Sequence, residues 1–499
     1  MKDASDLARL PKPVLSAHPE WVALHDFAWK MAHDHIRTSG KRAFIDIAWD
    51  KKRNWQWVWD TSIVAMYARY GAGYFPGIDG LDNFYDLQRD DGFISMAYDM
   101  DKGTETYPGR INPPLFAWAE WEYYRTTGDF SRFGRAVPAI EKLMGWIDAN
   151  RMNAPHLRRS VMSAPPSEAS KAMTYRLYHF EDCGSSGMDD SPRTPRAYDA
   201  GRFFDWIDLS SQMALSFRCL ADMHGVLGDA GRGEYWRKRA LDLGALINDE
   251  LWCEKTGFYH DRSIPTNFVA HKTAAGFWPV LAGICPPDRL DSLVAHLGND
   301  KEFDRPTPVP TLSADDVNYS GQGRYWLGGV WAPTNYMIAR GLMLSGRGDV
   351  AHRIAMKYVG AMTRTFKSFK PSTIWENYSP EEDKPGIGPD STKLTKPDFV
   401  GWSGIGPIAM LIENILGIDL DMHERQVSWD IRLVEEHGLR NLRVGDIGSL
   451  DLLCRGRASP GAEAAVSLKC GGAVKVILRR GAKTKTVLTE PGKEMEAVI

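Results

Sequence analysis

Ser185-Ser186-Gly187-Met188-Asp189-Asp190-Ser191-Pro192-Arg193 is the stretch on which the reading of this chain turns. It sits deep in a segment of weak helical pattern, residues 150–201. A compact domain rarely keeps so long an irregular loop unless the loop has a use. Two adjacent carboxylates stand after a glycine and before a proline. Gly187 permits unusual backbone angles and Pro192 fixes one, so a defined turn is expected. Taken alone, the stretch also reads as an ordinary surface turn rich in Asp and Ser. A second acidic loop far downstream, Ile374-Trp375-Glu376-Asn377-Tyr378, favours the sharper reading.

Around these loops the chain from residue 19 to about 417 reads mostly as helix, from apolar period and stop signals. Trp21, Leu24, Ala28, Met31 and Ala32 mark one face of the first helix. Later helices are expected over 58–72, 76–89, 113–127, 129–150, 204–227, 230–251, 270–283, 286–297, 331–345, 348–367 and 401–415. Asn112-Pro113-Pro114 reads as a helix start, with Asn as cap and Pro in the first turn. Gly417 suits the position just past the last helix. Helices this apolar must bury their faces on one another. Twelve of them joined in pairs suit two concentric rings of six, an all-α (α/α)6 toroid with a pocket formed by loops at one end. A stacked α-solenoid competes, but no fixed-period repeat is present.

The composition changes near Gln426. Short strand-like runs follow, at Val427–Ile431, Leu450–Leu453, Ala465–Leu468, Val474–Leu478 and Thr486–Thr489, and Gly-containing turns separate most of them. They predict a small C-terminal antiparallel β domain over 426–499, after a catalytic domain over 1–425.

Of the 499 residues, 43% are hydrophobic and 25% charged, which is long enough and apolar enough for a large core. The net charge of −3 gives no basic excess for nucleic acid. No apolar run approaches bilayer length. The N-terminus, MKDASDLARLPKPVLSAHPEW, has no apolar h-region, so a cytoplasmic location is expected, or a periplasmic one if a signal was removed. The six cysteines are scattered without CxxC spacing; free thiols are expected, with no metal and no cofactor. The oligomeric state is not legible. The 18 Trp and 18 Tyr serve core packing or supply flat platforms for sugar rings.

Three low-helix segments, about 151–203, 298–330 and 368–400, carry Asp189 and Asp190, the run Tyr325–Trp331, and Glu376. A fourth motif, Asn54-Trp55-Gln56-Trp57-Val58-Trp59-Asp60, opens the second helix. Aromatic residues with carboxylates are what glycoside hydrolysis needs. One carboxyl protonates the leaving oxygen and another activates water or attacks the anomeric carbon. Aromatic walls bind the ring and raise the acid's pKa by excluding water.

In this order the motifs resemble the inverting α-glycosidases of the trehalase, mannosylglycerate hydrolase and processing α-glucosidase type. Trp57-Val58-Trp59-Asp60 is similar to that family's early Trp-x-Trp-Asp, and Asn112-Pro113-Pro114 to its Asn-Pro-Pro helix start. Ser186–Arg193 resembles the Ser-Gly-x-Asp-Asp-x-Pro-Arg of the processing α-glucosidases, the most specific match. Leu251-Trp252 with Gly257–Asp261, Tyr325–Tyr336 and Trp375–Tyr378 resemble later signatures of the same family. The resemblance spans roughly residues 40–417. It implies the (α/α)6 toroid, a carbohydrate substrate, Asp189 as general acid and Glu376 as general base. Asp60, Trp57 and Trp59 would hold the sugar before the scissile bond, with Asn112 and Tyr378 also at the substrate. Trp326, Trp331 and Trp402 would wall the pocket.

Each role has a plainer alternative. Asp190 reads as a neighbour that hydrogen-bonds the loop. Asn112 reads equally as a helix cap, Trp402 as core, Asp60 as a charge complementing a helix dipole, and Arg193 as a salt-bridge partner. Met188 reads as packing. Two departures bear on substrate identity: Ser185 stands where trehalase-type members carry Glu, and Leu327-Gly328-Gly329 stands for Arg-Gly-Pro. A sugar epimerase on the same toroid would rely on paired histidines, and His179, His260 and His271 lie in no such pair. A non-catalytic sugar-binding protein would fit Ser185 and Leu327, but not the retained Asp189 and Glu376.

Overall fold

The computed structural model describes residues 4–47, 53–153, 177–194, 200–263 and 267–499. Much of the expected loop over 151–203 therefore lies outside the described residues. Eleven α-helices and one π-helix, besides short 3-10 turns, are found among the described residues, and they alternate in character along the chain. Helices α2 (Val58–Ala68), α4 (Phe116–Thr127), α6 (Ile207–Leu227), α8 (Trp278–Ala282) and α10 (Ala332–Leu344) are buried along most of their length. So is a π-helix over Gly406–Ile415. Between them come α1 (Pro19–Asp34), α3 (Asp79–Leu87), α5 (Phe133–Arg151), α7 (Ala230–Leu251), α9 (Pro287–Leu297) and α11 (Gly348–Ser368). These bury one stripe and leave the other to solvent, the pattern of helices that cover a core.

The buried helices touch in sequence: α2 packs on α4, α4 on α6, α6 on α8, α8 on α10, α10 on the π-helix, and the π-helix on α2. Charge ties them together beyond the C-terminal end of α2. Arg69 pairs with Glu122 at 3.1 Å and Glu413 at 2.7 Å, and Arg340 pairs with Glu122 at 2.9 Å. Burial pushes the Glu122 carboxyl up, but Arg340, Arg125 and Arg69 together hold it well below the ordinary value. Such a cluster survives burial only because each charge faces another.

One helix starts later than its residues suggest. Asn112 was expected to cap a helix from residue 113, but α4 begins at Phe116 after Leu115. Proline pushes the residue before it out of helical angles, and Pro113-Pro114 does so twice in succession. Asn112 is thereby left outside the helix, where its side chain takes another partner.

The strands after the helices form two sheets. The five-stranded one runs, in spatial order, 12–15, 437–444, 448–454, 465–470, 494–498; the four-stranded one runs 418–421, 426–430, 475–480, 483–488. Two of these strands, 12–15 and 418–421, come from before residue 426. The expectation of a purely antiparallel domain needs correction at one pair, because 426–430 and 475–480 run parallel, with Val427 opposite Val476. Val427, Trp429, Val476 and Leu478 are all buried. Strand 426–430 sits at the centre of its sheet, and the chain returns to it only after building most of the other sheet, so the direction is set by that crossover and not by a hairpin. All six cysteines are free thiols. Among the described residues no helix is long and apolar enough to cross a membrane.

Candidate functional site

The site begins with alternation in a short strand. Trp55-Gln56-Trp57 pairs with Ala97–Asp99, so Gln56 points opposite to both tryptophans. Buried Gln56 donates to Gly80 O at 2.8 Å and accepts from Asn83, which pins the strand beside α3. Trp57 then faces a cavity, and α2 starts at Val58 with Trp59 and Asp60 in its first turn. Asp60 thus combines its plainer role at a helix N-terminus with a place in the cavity wall.

The loop 182–193 is locked from below. Arg193 donates to Asp208 at 2.7 Å and Ser186 Oγ at 3.1 Å, lies 3.4 Å from Asp261, and stacks over Trp206. The salt-bridge reading of Arg193 is therefore correct, and the bridge joins the loop to α6 and to the Gly257–Asp261 motif. Asn112 donates its side-chain amide to Ser185 O at 3.0 Å, which fastens the loop's other side. Gly187 has φ +79, and a Cβ there would stand 1.8 Å from the Trp59 ring. Only glycine lets this turn lie on the indole. Met188 is buried packing. Asp190 turns inward, accepting the Trp326 backbone N–H at 2.8 Å, and Asp189 turns into the cavity.

The cavity holds about 220 Å³ and brings together Asp189, Glu376, Asp60, Trp57, Trp59, Asn112, Trp326 and Trp402. Trp326 lies nearly parallel to Trp59, with centroids 5.7 Å apart. Trp402 donates its indole N–H to the Glu376 carbonyl at 3.0 Å, so it is wall and support at once. Trp331, expected in the wall, and Tyr378, expected at the substrate, do not line this cavity. Trp331 stacks behind Trp326 at 4.0 Å with its N–H on Tyr325 O, and Tyr378 uses its hydroxyl to accept the Trp375 N–H. Both are buried behind the lining, because Trp326 and the Trp375–Glu376 turn occupy the surface first. Neither Ser185 nor Leu327 lines the cavity, and none of His179, His260 and His271 does.

Two polar groups of the wall had no assigned role. The Tyr325 hydroxyl donates to Glu376 Oε1 at 3.5 Å and also bonds Asp189, so it stands between the two carboxylates. Lys396 lines the wall beside Asp60 and Glu376. Tyr325 lay inside a quoted motif, where its neighbour Trp326 drew the attention. Lys396 carried no signal, since Thr395-Lys396-Pro397 reads as an ordinary exposed loop.

All three carboxyls of the cavity are pushed above their ordinary range, for partly different causes. Burial first, then the negative charges of Glu376 and Asp190, push Asp189 up to about 7, and the Tyr325 hydroxyl opposes them. Asp189 is open to the cavity yet ringed by protein atoms. Water filling the cavity weakens the push, and a ligand that expels the water strengthens it. Burial also pushes Asp60 up to about 7, and its Oδ1 has no hydrogen-bond partner. Glu376 is pushed up by burial too, but the charge and backbone N–H of Lys396 and the Tyr325 hydroxyl favour its ionised form. Asp189 and Glu376 thus face one aromatic cavity with both carboxyls pushed above the ordinary range, and at Glu376 the charge and backbone N–H of Lys396 oppose the push.

Residues 53–399 match the mannosylglycerate hydrolase MGH1-like glycoside hydrolase domain. An uncharacterised protein of Borreliella burgdorferi is 27% identical over 388 residues, which span 76% of this chain and 75% of that protein. The mannosylglycerate hydrolase of Thermus thermophilus is 24% identical over 290 residues, 54% of this chain and 67% of that protein. A probable mannosyl-oligosaccharide glucosidase of Schizosaccharomyces pombe is 26% identical over 45% of this chain, and the match spans only 28% of that larger protein. Among solved structures, a mannosylglycerate hydrolase from Thermus thermophilus in complex with glucose superposes with a TM-score of 0.60 at 19% identity, over 77% of this chain and 98% of that one. A rhamnosidase of Bacillus sp. GL1 gives a TM-score of 0.66 at 14% identity, over 94% of this chain and 42% of that one, a span that takes in the C-terminal sheets. At such identities these two structures speak for the fold alone.

Proposed function

The chain belongs to the mannosylglycerate hydrolase MGH1-like glycoside hydrolases, and from that premise we propose an inverting, exo-acting glycosidase that cleaves a small α-glycoside or the end of an oligosaccharide. Asp189 is the general acid that protonates the leaving oxygen. Glu376 is the general base that takes a proton from water as the water attacks the anomeric carbon. Trp57, Trp59, Asp60, Asn112, Trp326 and Trp402 hold the sugar, with Trp331 and Tyr378 behind them. The observation that carries this reading is the meeting of Asp189 and Glu376, from loops far apart in sequence, in one tryptophan-walled cavity. A cavity of about 220 Å³ suits one sugar ring, which supports exo action.

The same reading takes the helical part as an (α/α)6 toroid. The alternation of buried and one-sided helices supports it, as does the succession of contacts that returns from the π-helix to α2. The catalytic domain then covers 1–425 and the β domain 426–499, with strands 12–15 and 418–421 stitched onto the latter's sheets.

Incubation with α-linked disaccharides, mannosyl and glucosyl glycerates, aryl α-glycosides and a glycan library, followed by product analysis, tests the function. Release of a single monosaccharide from a non-reducing end is expected. Binding without turnover of any member would instead favour a non-catalytic sugar-binding protein.

A further inference from the structure

Lys396 is the charged residue of the cavity wall that the acid–base pair leaves unexplained. It is exposed, and it stands between the catalytic cavity and a neighbouring cleft of about 460 Å³ formed with the last turns of α1, at Phe27, Lys30, Met31, Asp34 and His35. Its backbone is tied to the base in both directions. The Glu376 N–H donates to Lys396 O at 2.9 Å, and the Lys396 N–H donates to Glu376 Oε2 at 3.2 Å. The carboxylate therefore cannot turn without breaking a bond to residue 396.

The groups facing Glu376 make the charge of this residue matter. Asp189 and Asp60 come from the loop 182–193 and from the first turn of α2, and each feels the negative charge of Glu376. The Tyr325 hydroxyl comes from the loop before α10. Trp402 donates its indole N–H to the Glu376 carbonyl and brings no charge. Among the described residues lining the cavity, Lys396 is the single cation. Three carboxyls in one cavity disfavour one another's ionisation, and an opposite charge nearby favours the ionised form of those it faces.

We propose that Lys396 is a positioning residue of the reaction, which fixes the Glu376 carboxylate through its backbone and preserves the negative charge of Glu376 through its ammonium. The inference rests on the reading of Glu376 as general base. The ammonium favours the ionised forms of Glu376 and Asp60, whereas the largest influences on Asp189 are burial, Glu376 and Asp190. Its loss should therefore move the acid limb of the pH–rate profile more than the alkaline one.

The full-length chain with Lys396→Met, Lys396→Gln or Lys396→Arg, assayed for kcat/KM against pH on the best substrate of the panel above, tests this. The acid limb, which reports the base of the free enzyme, should move to higher pH by roughly one unit in the Met and Gln variants. Arg should keep it near the wild-type position, and the alkaline limb should move less than the acid one in the Met and Gln variants. Because the side chain is exposed, melting temperatures should stay close to wild type. A fall in rate at every pH with an unmoved acid limb, or an Arg variant that behaves like Met, overturns the inference and leaves the glycosidase standing. Absence of turnover by the wild-type chain on the whole panel overturns the glycosidase, and this inference with it.

Discussion

The Trp326 backbone N–H donates to Asp190 Oδ1 at 2.8 Å across 136 positions of chain, while Asp189, one residue earlier, faces the cavity. Neighbouring carboxyls of the same chemistry are thus divided between holding the wall and facing the cavity. Asp190→Ala would leave a buried N–H without its charged acceptor, a loss of about 1–3 kcal/mol. It should lower the melting temperature and raise KM, as Trp326 loosens. Asp190→Asn keeps an oxygen acceptor and should do much less. Asp189→Asn should behave in the opposite way, with kcat lost and the melting temperature kept. Thermal melts and steady-state kinetics on the three variants check the division.

Gly187 meets two demands at once. Its φ of +79 strains any L side chain, and its Cα faces the Trp59 ring so closely that an added Cβ would overlap the indole carbons. The left-handed angle alone costs a residue with a Cβ about 1–2 kcal/mol. The displaced ring adds more, because Trp59 is held against Trp326 and Trp402. Gly187→Ala should therefore lose most activity along with several degrees of melting temperature. A variant with wild-type kinetics would mean that the loop and Trp59 do not share the substrate's wall.

Much of this was legible in the sequence, and the limits have physical causes. The helices follow from a 3.6-residue apolar period, which local sequence carries. The cavity residues Trp57, Asp60 and Asp189 could be named because the short motifs that hold them resemble those of the glycosidase family. Trp331 and Tyr378 were read as lining because aromatic motifs do not say which ring lies in front. Tyr378 instead caps the Trp375 N–H. Lys396 was silent, since its partner Glu376 is twenty positions away and the two meet only through loop packing. Strand 12–15 was missed for a similar reason: Pro11 and Pro13 weaken its local signal, and its register comes from residues 437–440.

Asp60 gives the stability profile a definite sign. Its folded-state pKa is raised to about 7, against about 4 in an unfolded chain. Between these values the unfolded state has lost a proton that the folded state keeps, so stability falls as pH rises from about 4 to about 7. Above that window the full cost is present. Asp60→Asn removes the ionisable group and should melt higher than wild type at pH 8, with the margin shrinking toward pH 4. The same variant should bind sugar poorly. An equal margin at both pH values would show that Asp60 ionises normally in the fold.

The rate profile should be bell-shaped, with its alkaline limb near 7 belonging to Asp189, because the acid must hold its proton to assist the leaving group. Rate is then lost as pH rises through that value, and lost on the acid side as Glu376 takes up a proton. Substrates with very good leaving groups need little protonation. Asp189→Asn should spare aryl glycosides while sharply slowing natural ones, and should flatten the alkaline limb for the former. Equal losses on both substrate types would assign Asp189 another role.

The stereochemistry of the product tests the pairing of Asp189 with Glu376 most directly. An inverting site must leave room for water between the base and the anomeric carbon, which places its two carboxyls roughly 6.5–9.5 Å apart, against about 5–5.5 Å in a retaining site. Here the two residues come from separate loops, and the Tyr325 hydroxyl stands between them and bonds both. A group interposed in this way keeps the carboxyls from direct contact, and on the inverting reading the attacking water sits beside Glu376. Attack from that side displaces the leaving group in one step, so an α-glycoside should release a β-configured sugar first. Proton NMR in the first minutes of hydrolysis, before mutarotation, reads the anomer. If the α-anomer forms first, two displacements have occurred, and Glu376 must be the nucleophile of a covalent intermediate.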